Sequence, residues 1–328
     1  MGRVTWLDTG FVDPHAARLS VDDPGARFGD GLRETLRVQD GTLPWIDRHL
    51  ARLRRSAEAL RLADGLPPIE AITAALRAVA DRCASGIWRA SMIVSAHPTL
   101  LVDAVLVDPD PATPLHAVTC PGLWVPDNRL AEHKTVAYLP SRLALRVAAA
   151  EGADTALLLD RDRNLGEAAT ANVFCVVDGM ILTPPVRGLL PGVTRAAVMD
   201  LMPVAERDLP ETIWGHCDEM FVTSAVQRVV GVASVDGVPR PARSSWVQRK
   251  SAISRRSSSR STVASHTWVV RPPCASRASQ RTNPLSAVPM KLHCRFIVAK
   301  PAVSSPMEPT APYPQAVSAS AVTAPPCR

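Results

Sequence analysis

The sequence predicts a mixed α/β (α+β) fold in two domains, and three observations predict it. The chain has 328 residues, enough for two domains that each bury a core. Along the first 240 residues, short β-rich runs alternate with segments of helical period. Between two such groups, residues 108–114 read Asp-Pro-Asp-Pro-Ala-Thr-Pro, too rich in proline to continue a strand or a helix. The expected division is a small α/β domain over 1–107, a linker over 108–114, and a larger β-rich domain with helices over 115–240.

In the first half, strands are expected over 34–38, 88–95 and 101–107. Residues 47–60 read as a helix, because Leu50, Leu53, Ala57 and Leu60 recur at helical spacing. Asp47 sits near its N-terminus, where a carboxylate is favoured. A second helix is expected over 69–84. In the second half, 139–151 is helical, 155–159 and 172–177 are strands, and Asp178-Gly179 is a hairpin turn signal. A helix over 194–201 follows a glycine-containing loop, and strands over 220–224 and 229–235 complete the sheet.

After Asp236-Gly237 the character changes. Residues 241–328 hold 13 of the 37 basic residues and one of the 31 acidic ones, so an acidic body of net charge −6 precedes a tail of +12. The tail is rich in Ser, Arg and Pro and has little apolar periodicity, so it is expected to be disordered. The abrupt change is of the kind a shifted reading frame leaves. Basic residues without interleaved aromatics support only nonspecific, salt-sensitive contact with nucleic acid. A second class of reading therefore stays open, in which the chain is an inactive remnant or a nonspecific nucleic-acid binder. The apolar runs are too short to span a membrane. Seven scattered cysteines without a C-x-x-C pair fit reduced thiols, with no metal site expected, and the chain is expected to be cytoplasmic.

Four segments carry chemistry, each with a plainer alternative. The first is Gly29-Asp30-Gly31 followed by Arg33-Glu34-Thr35-Leu36-Arg37-Val38, then His49, Arg52 and Ser56 on one helix face. That basic face is either solvated or a guanidinium fork aimed at an anion. Thr35 offers a hydroxyl for proton relay and Arg37 a partner for a carboxylate, against a strand former and a surface arginine. In the second, Lys134 stands among small and apolar residues that lower an amine's pKa by desolvation, against an ordinary surface lysine. In the third, Glu167 lies between a turn and a strand. In the fourth, residues 188–195 deliver the N-terminus of a helix, whose free amides and dipole suit a phosphate.

Taken together, G-D-G…H-L-x-R-L…K-T…E-x-x-x-x-N-V-F…L-P-G-V-T-R resembles the fold-type IV pyridoxal-phosphate enzymes, over residues 6–237. That family holds branched-chain and D-amino-acid aminotransferases and 4-amino-4-deoxychorismate lyases. The resemblance implies pyridoxal 5'-phosphate as cofactor, a small-molecule amino substrate and a homodimer. It implies that Lys134 carries the cofactor and Glu167 faces its pyridine nitrogen. Arg52, the Val193 and Thr194 amides, the Thr194 hydroxyl and the Thr223-Ser224-Ala225 loop hold the phosphate. Arg33 stands where the family usually has an aromatic residue, and Arg33 and Arg37 become substrate contacts. The run Arg33-Glu34-Thr35-Leu36-Arg37-Val38, with Lys134 to Pro140, is closest to the lyases. The implied reaction releases 4-aminobenzoate and pyruvate for folate biosynthesis, with Thr35 assisting Lys134. Branched-chain or D-amino-acid transamination is the alternative.

Overall fold

In the computed structural model the described residues are 2–97, 99–107 and 113–240, all within one compact unit, Met1–Ser265. Most of the expected linker and the whole basic tail lie outside the described residues. The chain opens with the hairpin β1 (Arg3–Leu7) and β2 (Gly10–Phe11). A short helix, α1 (Pro24–Phe28), is capped by Asp23, whose carboxylate accepts from the Gly25 and Ala26 amides. Next come β3 (Gly31–Gln39), α2 (Ile46–Ala59), α3 (Ile69–Arg82), β4 (Ile87–Ser95) and β5 (Leu100–Val107). The strands form an antiparallel sheet in the order β2-β1-β5-β4-β3.

Alternation decides which residues of β3 serve the core and which serve the site. Leu32, Leu36 and Val38 are buried on one face, while Arg33, Thr35 and Arg37 take the other. Glu34 shares the buried face, at 1% exposure. α3 buries Ile72, Ala75, Leu76, Val79 and Ala80, the stripe of an amphipathic helix. Each large aliphatic side chain so buried contributes about 2 kcal/mol. α2 buries Leu53 and Ala57, but it also buries His49, Arg52 and Ser56. His49 and Arg52 meet Glu34, and Ser56 meets His133.

The second sheet begins with β6 (Leu115–Pro121), followed by α4 (Leu139–Ala150) and β7 (Thr155–Leu159). β6 and β7 are parallel neighbours, so α4 is their crossover helix. Then come β8 (Asn164–Ala168), β9 (Asn172–Val177), β10 (Met180–Thr183), α5 (Val193–Leu201), β11 (Val204–Glu206) and β12 (Leu209–Pro210). β13 (Glu219–Ser224), β14 (Arg228–Val235) and β15 (Val238–Pro239) finish the sheet. Its order is β11-β10-β9-β13-β14-β6-β7-β8-β12, with β15 on β14. β9 and β13 are buried on both faces. Val173, Cys175, Met220 and Val222 pack to one side, and Phe174 and Phe221 stack at 4.8 Å on the other, against Val198 of α5.

The strands and helices expected from periodicity occur within three residues of their expected ends. Asp178 and Gly179 both have positive φ, 50° and 75°, as the tight hairpin between β9 and β10 requires. One placement differs. Glu167, expected between a turn and a strand, lies inside β8. The Asn-Leu-Gly-Glu-Ala run is poor in strand formers, and pairing with β7 and β12 supplies what propensity does not. No helix among the described residues is long and apolar enough to cross a membrane.

Candidate active site

A cavity of about 720 Å³ is lined by residues of both sheets. Lys134 reaches it from the segment before α4, which is pinned along β3. The Arg33 amide donates to the Lys134 carbonyl at 2.8 Å, and the Val136 amide donates to the Gly31 carbonyl at 3.0 Å. Burial, aided by the Arg52 cation, pushes the Lys134 ammonium down to about 8 from an ordinary 10.5. Nζ lies 5.8 Å from the centre of the Tyr138 ring. Such an amine is available as a nucleophile near neutral pH.

Burial acts on Glu167 in the opposite sense, pushing its carboxyl up to about 8 from 4.5. Asn172 Nδ2 donates to Glu167 Oε2 at 3.2 Å and to the Leu190 carbonyl at 2.9 Å. One amide therefore ties the acid to the loop that precedes α5. Gly192 caps α5 with extended backbone and no side-chain cap. A Cβ there would lie 1.9 Å from Asn172 Oδ1, so the close approach demands glycine. The uncapped first-turn amides and the helix dipole favour an anion. Thr194 Oγ1 donates to the Ser224 carbonyl at 2.9 Å and joins α5 to the end of β13. Thr223 Oγ1 lines the same cavity, buried and without a hydrogen-bond partner among the described residues.

Arg52 and His49 line the cavity from α2. Arg52 is 4% exposed, and its Nε and Nη2 donate to the two oxygens of Glu34 at 2.8 and 2.7 Å. Its Nη1 donates to the Pro191 carbonyl at 3.1 Å. His49 Nδ1 lies 2.8 Å from Glu34 Oε2. Burial alone raises the Glu34 carboxyl, but the Arg52 charge and the hydrogen bonds outweigh it and bring it down to about 2. Burial lowers His49, so its imidazole is neutral and Nδ1–H donates to the carboxylate.

A different wall is cationic. Arg33, Thr35, Arg89, Ser91 and Arg142 all line the cavity, with Thr35 opposite Ser91 across the β3–β4 ladder. The Arg33 guanidinium lies 4.0 Å over the Tyr138 ring, and its buried Nε has no hydrogen-bond partner among the described residues. Among the described residues, Asp154 and Glu167 are the only carboxylates that line the cavity.

An amine of depressed pKa, a buried acid, an uncapped helix N-terminus beside a buried guanidinium and an orphaned hydroxyl form the donor set for a phosphorylated pyridine aldehyde. A profile of the amino-transferase class IV family matches residues 31–235. The chain belongs to the class IV aminotransferase family. That family uses pyridoxal phosphate, so the cofactor implied by the sequence motifs stands, and the cavity fits it.

This class IV chain is 29% identical over 252 residues to a candidate branched-chain-amino-acid aminotransferase of Methanocaldococcus jannaschii, covering 71% of this chain and 88% of the relative. It is 28% identical over 255 residues to a D-alanine aminotransferase of Staphylococcus haemolyticus, with 71% and 89% covered. Among solved structures it resembles the PLP-bound form of a hypothetical aminotransferase from Mycobacterium tuberculosis. The TM-score is 0.71 at 23% identity, over 77% of this chain and 98% of that one. A candidate 4-amino-4-deoxychorismate lyase from Legionella pneumophila matches with TM-score 0.65 at 24% identity, over 75% and 97%. At these identities the structures speak for the fold, which is the fold-type IV architecture implied by the sequence.

Of the residues singled out in the sequence, Lys134, Thr35, Arg52, Glu167, Val193, Thr194, Ser224, Ala225 and Arg33 all line the one cavity. Arg37 does not. Its Nη1 donates to the Val226 carbonyl at 2.7 Å and its Nε to Gln39 at 3.1 Å, so it braces a loop whose residues line the site. Sequence reasoning missed Glu34, Asn172, Arg89 and Arg142. Glu34 did leave a signal: an acid in the apolar row Leu32, Leu36, Val38, with His49 and Arg52 on the helix that follows.

Proposed function

We propose that this class IV chain is a pyridoxal-phosphate-dependent lyase converting 4-amino-4-deoxychorismate to 4-aminobenzoate and pyruvate. The observation that carries the reading is the wall of Arg33, Arg89 and Arg142 around the Thr35 and Ser91 hydroxyls. Three guanidiniums suit a substrate bearing two carboxylates, because each carboxylate gains charge-assisted hydrogen bonds. A branched aliphatic side chain would leave those cations unpaired. The likeness to the Legionella protein supports the reading at the level of fold.

In this reading Lys134 carries the cofactor and Glu167 faces the ring nitrogen. Arg52, the first-turn amides of Val193 and Thr194, the Thr194 hydroxyl and the Ser224–Ala225 turn take the phosphate. Bound there, pyridoxal phosphate supplies an electron sink for the pair left on the carbon beside the substrate nitrogen. Arg33 and Arg89 orient the carboxylates. Lys134 Nζ, set free when the substrate amine takes its place and lowered in proton affinity, would remove the hydrogen from the amine-bearing ring carbon. The bond to the enolpyruvyl oxygen breaks, the ring becomes aromatic, and the Thr35 hydroxyl relays the proton that completes pyruvate. Substrate atoms are fully divided between the two products.

The test is to incubate the purified chain with pyridoxal phosphate and the amino-substituted chorismate, without any keto acid, and measure 4-aminobenzoate. Product that forms only after a keto acid is added overturns the lyase reading. It would favour a second reading, amino-group transfer, which the names of the relatives support. A visible cofactor band that borohydride reduces in the parent, and that is missing in Lys134→Ala, tests the lysine independently.

A further inference from the structure

Glu34 occupies a place where a carboxylate is costly. It lies at 1% exposure in the row of Leu32, Leu36 and Val38 on the core face of β3. An acid there persists only if other groups compensate its desolvation. Arg52 gives it a two-point ion pair at 2.8 and 2.7 Å, and His49 a third hydrogen bond at 2.8 Å. Replacing all three groups by apolar residues of similar volume is the cheaper way to build a core. Their retention therefore needs a reason outside the core.

The far side of the guanidinium supplies one. One edge of the Arg52 guanidinium, its Nε and Nη2, is taken by Glu34, and its Nη1 donates to the Pro191 carbonyl at 3.1 Å. Pro191 stands directly before Gly192 and the uncapped first turn of α5. The chain of contacts runs from the rigid centre of β3 through Arg52 to the turn that carries the anion-binding amides. Arg52 has five N–H donors, of which these bonds use three. Without Glu34 a flexible arginine side chain samples many rotamers, and ordering it costs about 2 kcal/mol of entropy on binding.

We propose that Glu34 is the positioning residue of the phosphate cradle: by clamping Arg52 it fixes the direction of the two remaining N–H donors and holds the Pro191–Gly192 turn in place. Glu34 itself touches no substrate or cofactor. The inference rests on the cofactor-site reading above. It also accounts for the neutral His49, which donates Nδ1–H to the clamp and adds no positive charge beside Lys134.

The test is a double-variant cycle on the full chain, reading the dissociation constant of pyridoxal phosphate from its visible band, with thermal unfolding in parallel. Glu34→Gln keeps the shape but removes the charge, and is expected to weaken cofactor binding about 10- to 100-fold, the scale seen when a partner that orients a ligand is lost. Arg52→Ala is expected to weaken it at least as much. Because Glu34 acts through Arg52, the double variant should bind no worse than Arg52→Ala alone. Additive losses in affinity would show a general packing role and overturn the proposal, as would Glu34→Gln binding the cofactor like the parent. Should Glu34→Gln fail to fold, Glu34→Asp, which keeps the charge but shortens the reach, takes its place in the same cycle. A parent chain that takes up no pyridoxal phosphate sinks the cofactor reading and this inference with it, whereas a binding parent with an indifferent Glu34 sinks this inference alone.

Discussion

Replacing Gly192 by alanine adds one methyl group at the most crowded point of the site. Gly192 has φ −67° and ψ 135°, which alanine adopts without strain, so the whole effect is steric. The added carbon would stand 1.9 Å from Asn172 Oδ1 and 3.3 Å from Arg195 Cβ. Asn172 must move, and its Nδ2 then loses its bonds to Glu167 at 3.2 Å and to the Leu190 carbonyl at 2.9 Å. Overpacking of this kind costs about 1–3 kcal/mol. Each lost hydrogen bond adds about 1 kcal/mol. A total of about 3–5 kcal/mol corresponds to a fall in Tm of roughly 6–20 °C for a body of this size. Because Asn172 links the acid to the α5 loop, cofactor affinity should fall as well. Gly179→Ala is the control: its φ of 75° strains alanine, but nothing lies within 4 Å, so it should lose about 1 kcal/mol and keep its cofactor affinity. Differential scanning fluorimetry and cofactor titration read both quantities. A Gly192→Ala chain that binds the cofactor as the parent does would refute the Asn172 link.

Three further outcomes follow from the same geometry. Trapping of pyridoxal phosphate on Lys134 by borohydride should rise with pH about a midpoint near 8, because the free amine fraction grows through the lowered pKa; a midpoint near the ordinary 10.5 would show that Lys134 is not desolvated. Stability should fall on acidification. Glu34 titrates near 2 folded and near 4.5 unfolded, so its roughly 3 kcal/mol is present above 4.5 and lost toward 2. His49, lowered from 6.5, takes a proton more readily unfolded and adds to the loss below that pH; denaturant titrations of the parent and Glu34→Gln over this range check both. Arg33→Leu should raise the KM for a dicarboxylate substrate about 10- to 100-fold, the value of one charge-assisted hydrogen bond, while leaving the cofactor spectrum unchanged.

The legibility of the sequence followed the kind of signal each residue sends. Helices such as α3 were plain because five apolar residues on one stripe leave no other period. β8 was hidden because Asn164, Gly166 and Glu167 are poor strand formers, and only its neighbours make it a strand. In the candidate site, motif order brought nine residues to one cavity, although Arg33, Thr35 and Glu167 stand within strands and Arg52 within α2. Arg37 stood in the same alternating row as Arg33 and Thr35, and period two alone places all three on one face. How far along that face the cavity reaches depends on the Val226 loop, which lies 189 residues away in sequence. Arg89 and Arg142 were unreadable for the same reason: a strand arginine and a helix arginine become cavity walls only through tertiary packing.

The two sheets contribute differently to the proposed chemistry, and this bears on how substrate choice varies on one fold. Glu167 on β8, the α5 N-terminus and Ser224 at the end of β13 all come from the second sheet. Arg33, Thr35, Arg89 and Ser91 come from the outward face of the β3–β4 pair in the first. Strand alternation insulates that face from the core, so its residues can change without unsettling Leu32, Leu36 or Val38. Glu34 is the exception, an inward residue of the same strand that reaches across through Arg52 to Pro191. The Glu34–Arg52 ion pair is therefore one of several links between the sheets, beside the Arg37–Val226 bond, while in the proposed reading the half-buried outward positions of the same strand set specificity. In the proposed reading, exchanging Arg33, Arg89 and Arg142 for apolar residues should alter which amino compound is accepted before it alters whether the cofactor is held. Exchanging Glu34 or Arg52 should do the reverse.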